Sequence, residues 1–349
     1  MAAHVPGVVS KNAGLADDTW NVNAQMMEAY INDVYNEKSN FDSFVSDVFN
    51  VKKSNRFGEK IGSVTTFSNF VPTSTDGADA ALDDIIGGPT KTIQHTTFKK
   101  RFEITREMNE DNEVDIMQSK ARGMVQAYKR TRAAFASAAL TANAEAVSTK
   151  TSFSFGGVSG FDCTSADGKA IFAVDHPTAV NDSITQSNIF TNGFGNDTSM
   201  LNRLANIGRG YKNNSNLHMG YTFDTIIIPS NCPRLEDLVK RVIRSELIVG
   251  SDYNDVNTQK GLWKLIVDPS WYVTDGAEPF ILMSSQANKE IIGNKFYDRV
   301  SLDVTGDVNI VNNDMIWNGY SRFSVGFASW QHVLMGGAAH GTTLEIPSV

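Results

Sequence analysis

The chain has 349 residues, 41% of them hydrophobic, and its 31 Lys plus Arg against 39 Asp plus Glu give a formal net charge of −8. That size and apolar content suffice for one large or two medium domains with a sizeable core, and they exclude a disordered chain. The acidic balance excludes a protein whose whole surface grips nucleic acid. No apolar run reaches the roughly 18 residues that cross a bilayer, and MAAHVPGVVSKNAG lacks the basic and apolar regions of a signal peptide, so a soluble chain kept in a cytoplasm is expected.

Residues 1–58 open loosely and then carry Met26, Met27, Tyr30, Ile31 and Val34 at helical spacing, followed by a second apolar set at Phe41, Phe44, Val45, Val48 and Phe49. They read as an arm with one or two helices, able to lie on a neighbouring copy or on its own core. KIGSVTTFSNFV (Lys60 to Val71) and KTIQHTTFKKRFEIT (Lys91 to Thr105) alternate and are rich in β-branched and aromatic residues, so two strands are predicted. The connection between them is too long for a tight hairpin. A projecting two-stranded ribbon is marginal alone in water and needs a surface to lie on.

From Asn112 a helical stripe runs through Val114, Met117, Ala121, Met124, Val125 and Tyr128 into RAAFASAALTANAEA, which predicts one helix to about Val147, about 50 Å long. Asn112 with Asp115 resembles a helix-start signal, and the lack of a sustained heptad favours a spine over a coiled coil. Gly156-Gly157, Gly160 and Asp167-Gly168 then punctuate short apolar runs as hairpins. A polar linker follows, then a helix near Met200 to Gly208 and a buried strand at TFDTIIIPS. PRLEDLVKRVIRSELI (Pro233 to Ile248) is the cleanest helix, with Pro233 suited to its first turn and Leu235, Leu238, Val239, Val242, Ile243 and Leu247 on one face. Strand-like pieces at 261–267, 280–284, 300–304 and 317–326 complete an α+β pattern without internal repeats.

Chemistry-bearing constellations are scarce. Asp175-His176 invites an acid-base or metal reading, but strand neighbours point to opposite faces and no third ligand stands near, so a structural role is expected. Cys163 and Cys232 have no partner at metal-ligand spacing and read as free, buried thiols. No phosphate loop, dinucleotide glycine pattern, HExxH or GxSxG occurs. Catalysis, cofactor and metal are therefore not expected. Two charged sets remain: Lys99, Lys100, Arg101, Glu103 and Arg106, with Lys91 upstream, are candidates for intersubunit ion pairing. Lys120, Arg122, Lys129, Arg130 and Arg132 form a candidate basic face of the long helix, facing phosphate, a neighbour's carboxylates or solvent.

DGKAIFAVDHP (Asp167 to Pro177), IIIPSNCPRLEDLVKRVI, LWKLIVDPSWYVTDG and YSRFSVGFASWQHV, in this order, resemble segments of tailed-phage major capsid proteins of the Hong Kong 97 type, and most nearly the major head subunit of Mu-like phages. The resemblance implies an N-terminal arm (1–58), an E-loop (59–106), a peripheral domain with spine helix and hairpin insertion (107–198), a mainly axial domain (199–315), and a closing strand and tail (316–349). It also implies copies packed as pentamers and hexamers of an icosahedral shell around double-stranded DNA, assembled in a host bacterial cytoplasm and ending in the virion. A separate scaffold protein, a portal, a decoration protein and weak non-specific contact with DNA are the partners it suggests. Some relatives lock their shells with a lysine-asparagine crosslink; Lys91 or Lys99 would be the donor, and none is expected here. A tail-tube or decoration subunit and a soluble α+β enzyme are the competing readings.

Overall fold

In the computed structural model, the described residues are 9–12, 18–64, 69–70, 72, 79, 82, 87–111, 113–142, 144, 150–178, 181–195, 199–212, 217–248, 256–273, 278–290, 293–309 and 311–344. The first half contains β1 (Val9–Asn12), α1 (Asp18–Asn36), α2 (Asn40–Val48), β2 (Asn50–Lys53), β3 (Gly58–Val64), β4 (Gly87–Gln94), β5 (Thr96–Ile104), α3 (Arg106–Glu110) and α4 (Val114–Thr141). Next come β6 (Ser152–Phe155), β7 (Val158–Asp162), β8 (His176–Thr178), β9 (Asn181–Gln186), α5 (Ser199–Arg209), β10 (Thr225–Pro229) and α6 (Pro233–Arg244). The chain closes with β11 (Lys264–Asp268), β12 (Phe280–Met283), α7 (Ser285–Lys289), β13 (Asn294–Val308), β14 (Met315–Phe327) and β15 (Val333–Gly336).

The antiparallel pair β13–β14 forms the centre of one sheet, with β5 antiparallel along β14 and both β1 and β2 parallel along β13. Alternation sorts its side chains: Phe323, Trp317 and Met315 are fully buried on one face, while Arg322, Tyr320, Asn318 and Ile316 alternate with them on the other. The spine helix α4 lies over the apolar face, with Phe135 edge-on to Phe98 and Phe323. Met117, Ala121, Met124, Val125, Tyr128 and Phe135 recur at steps of three to four along its buried side. The spine spans about 42 Å, shorter than expected. Its expected cap, Asn112, lies outside the described residues, as do 145–149; Glu113 stands at the cap position with no side-chain hydrogen bond.

Both arm helices pack on the spine of their own chain, where Met27, Ile31 and Val34 of α1 and Phe44, Val45 and Val48 of α2 enter the main core. Ser39 caps α2 by accepting from the Asp42 amide. A second sheet, ordered β11-β10-β12-β15, is built from the fully buried runs TIIIP and FILM. α6 buries Leu235, Val239, Val242 and Ile243 but ends at Arg244, since Ser245 is extended; Leu247, expected on its apolar face, is 45% exposed. The glycine-rich region does form a hairpin, β6–β7, turned by Gly156 and Gly157 at φ 59° and 82°, a conformation costly for any other residue. Both cysteines are buried thiols outside any disulfide.

Candidate assembly surface

The ribbon predicted between residues 60 and 105 is present with a different division. Among the described residues β3 pairs only with β4, antiparallel, but the second predicted strand breaks at His95, and its later half, β5, leaves the ribbon to join the main sheet. The ribbon is therefore hinged. His95 is buried at the break, its Nε2 3.0 Å from Ser54 Oγ and its Nδ1 2.9 Å from Ser324 Oγ. Ser54 spends its hydroxyl proton on Glu59 at 2.7 Å, so the ring donates from Nε2 and accepts from Ser324 at Nδ1. Burial first, and Arg322 second, lower the pKa of His95 and favour this neutral form.

Below the hinge, Ile61 and Ile93 form a small apolar cluster with Tyr297 and Ala328, seated over Gly326, where a Cβ would come within 1.8 Å of Ile93 Cδ1. Lys91 reaches from β4 to the β6–β7 hairpin: Nζ donates to the Thr164 carbonyl at 2.6 Å and to its hydroxyl at 2.9 Å, and lies 2.9 Å from Asp162. The two ends of the ion pair feel it differently because Lys91 is 11% exposed and Asp162 54%. Burial pushes the amine below its ordinary value, whereas Asp162 is held low because Lys91 and Thr164 outweigh its partial burial. Between ribbon and hairpin lies a cavity of about 350 Å³. Further out, Phe70 and Leu82 stand fully exposed.

The other charged candidates divide sharply. Lys99, Lys100 and Arg101 are exposed on β5, which no further strand covers among the described residues. Lys99 lies over the Tyr320 ring, Arg101 is 3.8 Å from Glu103, and Arg106 pairs with Glu110 at 2.6 Å. Along the spine the expected basic face is largely consumed inside the chain. Lys120 donates to the Glu103 carbonyl at 2.9 Å; Arg122 binds the Tyr30 hydroxyl at 3.2 Å and Glu37 at 2.9 Å. Lys129, 5% exposed, pairs with Asp42 at 3.2 Å, and Arg132 pairs with Asp298 at 2.6 Å with its guanidinium over Phe296. Arg130 alone of the five is exposed. These cations rivet α1, α2, β5 and β13 to the spine, which sequence spacing could not show because their partners lie far away along the chain.

Asp175 and His176 do not converge. Asp175 pairs with Lys169, while His176 is buried, 2.7 Å from Asp167 and stacked on Trp330 at 4.5 Å. Trp271 is buried, whereas its neighbour Tyr272 is 69% exposed. Among the described residues no helix is long and apolar enough to cross a membrane.

A projecting ribbon, a spine helix under a long β-hairpin and a second small sheet define a structural subunit of shell-forming type. The family model for phage capsid protein matches residues 88–334, and the chain belongs to that family. Its fold is similar to the capsid of an empty GTA particle (TM-score 0.51, 10% identity, covering 87% of this chain and 91% of that one). It is likewise similar to the capsid of a native GTA particle (0.50, 12%, 87% and 92%). A third similarity is to the capsid of Myoviridae Phage XM1 (0.48, 10%, 85% and 91%). At such identities the likeness to the two GTA capsids shows the fold alone, an α+β capsid fold. No curated protein matches the chain.

Proposed function

We propose that this chain is the major head protein of a tailed phage, and that copies of it assemble as pentamers and hexamers into an icosahedral shell around double-stranded DNA. The observation that carries the reading is the ribbon: two strands that, among the described residues, pair only with each other, broken from the main sheet at His95, with Phe70 and Leu82 fully exposed. Isolated two-stranded ribbons are marginal, and exposed apolar side chains on a projection gain by burial against another copy. An E-loop over residues 59–106 ahead of a peripheral domain belongs to the same reading. Lys99, Lys100 and Arg101 on the open strand β5 supply a charged edge suited to ion pairing with a neighbour rather than to strand addition. The Mu-like resemblance, assembly in a bacterial cytoplasm, a separate scaffold and portal, and an absence of catalysis belong to the same reading.

Electron microscopy of the purified chain, with and without a scaffold, tests it. Shells are expected; tubes would assign the chain to a tail, and small oligomers under every condition would overturn assembly altogether. Replacing residues 65–86 by a two-residue turn should abolish shells and leave the thermal melt of the core in place.

A further inference from the structure

The cavity of about 350 Å³ between the ribbon and the β6–β7 hairpin has two unlike walls. On the side of the spine and the hairpin, Phe135, Phe153 and Phe161 stand at mutual ring distances of 5.3, 5.3 and 5.4 Å. Val325 of β14 adjoins them, and this wall is apolar. The opposite wall is the ribbon, where residues 91–96 line the cavity without a gap. Side chains of a strand alternate between its two faces, so consecutive residues share one space where the strand turns its edge to it. β4 pairs with β3 along its other edge, and among the described residues no strand covers this one.

In an antiparallel strand every second residue turns its N–H and its C=O to the same side, so an open edge offers a donor and an acceptor next to each other. A ligand that pairs both gains what unpaired backbone groups beside an apolar wall would lose. A further strand is not that ligand. Lys91 Nζ spans from β4 to the Thr164 carbonyl, just past β7, and bars the path of an extended chain. Charge is likewise accounted for. Lys91 is 2.9 Å from Asp162, which also accepts the Thr164 amide at 2.8 Å, and both nitrogens of His95 are held by Ser54 and Ser324. An ionic ligand would therefore find no uncommitted opposite charge among these lining groups. Size narrows the class further, because an apolar cavity of about 150 Å³ takes a single benzene ring and about twice that volume suits two fused rings.

We propose that this cavity binds a neutral, planar, two-ring nitrogen heterocycle of the purine-base type, its rings against the three phenylalanines and its donor and acceptor on the open edge of β4. Adenine carries such a pair in its N7 acceptor and its N6 amino donor. A bound base would join ribbon, hairpin, spine and β14 at one point and hold the ribbon against the body. The site lies within one chain, so it stands or falls independently of the shell reading.

The test is hydrogen exchange on the full, unassembled chain with adenine as the probe. At about ten times its dissociation constant, adenine should slow exchange about tenfold along residues 91–94 and in the hairpin at 153–161, and leave residues 114–121 of the spine unchanged. Val325→Trp, which fills the cavity from β14, should abolish the effect, with a thermal melt to show that the variant folds. Indole has two fused rings and a donor but no acceptor beside it, and should bind at least about tenfold more weakly than adenine. Adenosine monophosphate should bind no tighter than adenine. Absence of slowing by adenine, or slowing spread evenly over the chain, overturns the proposal whether or not Val325→Trp folds. Indole binding as tightly as adenine overturns recognition by the strand edge. Adenosine monophosphate binding about tenfold tighter than adenine, or more, assigns the cavity to phosphate and equally overturns the proposal.

Discussion

Arg132 shows how single residues hold this fold together. Its guanidinium and the Asp298 carboxylate are 12% and 10% exposed at 2.6 Å, so each stands where an isolated charge would be strongly disfavoured. Burial raises the pKa of Asp298, and Arg132 opposes that rise. Arg132→Met should therefore cost on the order of 3 kcal/mol in denaturant unfolding of the unassembled chain, because it strands a buried carboxylate. Adding Asp298→Asn should return much of that loss, and a double variant as unstable as the single would show that the pair matters through packing instead. The sequence displayed Arg132 as one of five basic residues on a helix. It could not display the partner, which lies 166 positions away. Apolar spacing, by contrast, was readable at the residue level, since Met27, Ile31 and Val34 repeat with the helix period and all three enter the core.

At the scale of elements, the spine helix and the ribbon were legible because their periods run for many residues, whereas their ends were not. Period-two alternation continues through Gln94, His95 and Thr96, so nothing local marks the point where the chain leaves one sheet for another; the break is fixed by Ser54 and Ser324, distant in sequence. The ribbon's lean is set by Lys91. Lys91→Met should raise hydrogen exchange at the Thr92 and Ile93 amides about tenfold while the spine amides stay unchanged; equal protection in the variant would show that the Ile61–Ile93 cluster alone holds the base. A second joint links α4 to β11, where Asp268 accepts from the Ser137 hydroxyl at 2.6 Å and from the Ser270 amide at 2.9 Å. Burial pushes Asp268 up to about 6 despite these donors. The folded state thus binds this proton more tightly than the unfolded chain, and stability falls as pH rises from about 4 to about 6, by roughly 3 kcal/mol. Asp268→Asn removes the dependence: the variant should match the native chain near pH 4 and exceed it above pH 6 in denaturant midpoint. A native-like slope in the variant would place the titration elsewhere.

For the whole molecule, a well-packed body is set beside exposed charged and apolar surfaces. The body is self-sufficient: one continuous core joins the arm helices, the spine and both sheets. Under the proposed reading the surfaces that copies would cover include Phe57, Phe70 and Leu82 and the β5 edge with Lys99, Lys100 and Arg101, all exposed. Individual exposed ion pairs contribute less than about 1 kcal/mol, so no single contact would hold two chains together. A closed shell makes every such contact at once, and the small terms add. Because much of that sum is electrostatic between exposed groups, it is screened as the Debye length falls from about 10 Å at 0.1 M salt to about 3 Å at 1 M. Assembled shells should accordingly unfold at a higher temperature than the free chain, and calorimetry across that salt range should show the gap narrowing while the free chain's own transition, set by its apolar core, shifts little. A gap that stays constant or widens with salt would mean that apolar burial, led by Phe57, Phe70 and Leu82, outweighs charge in holding copies together.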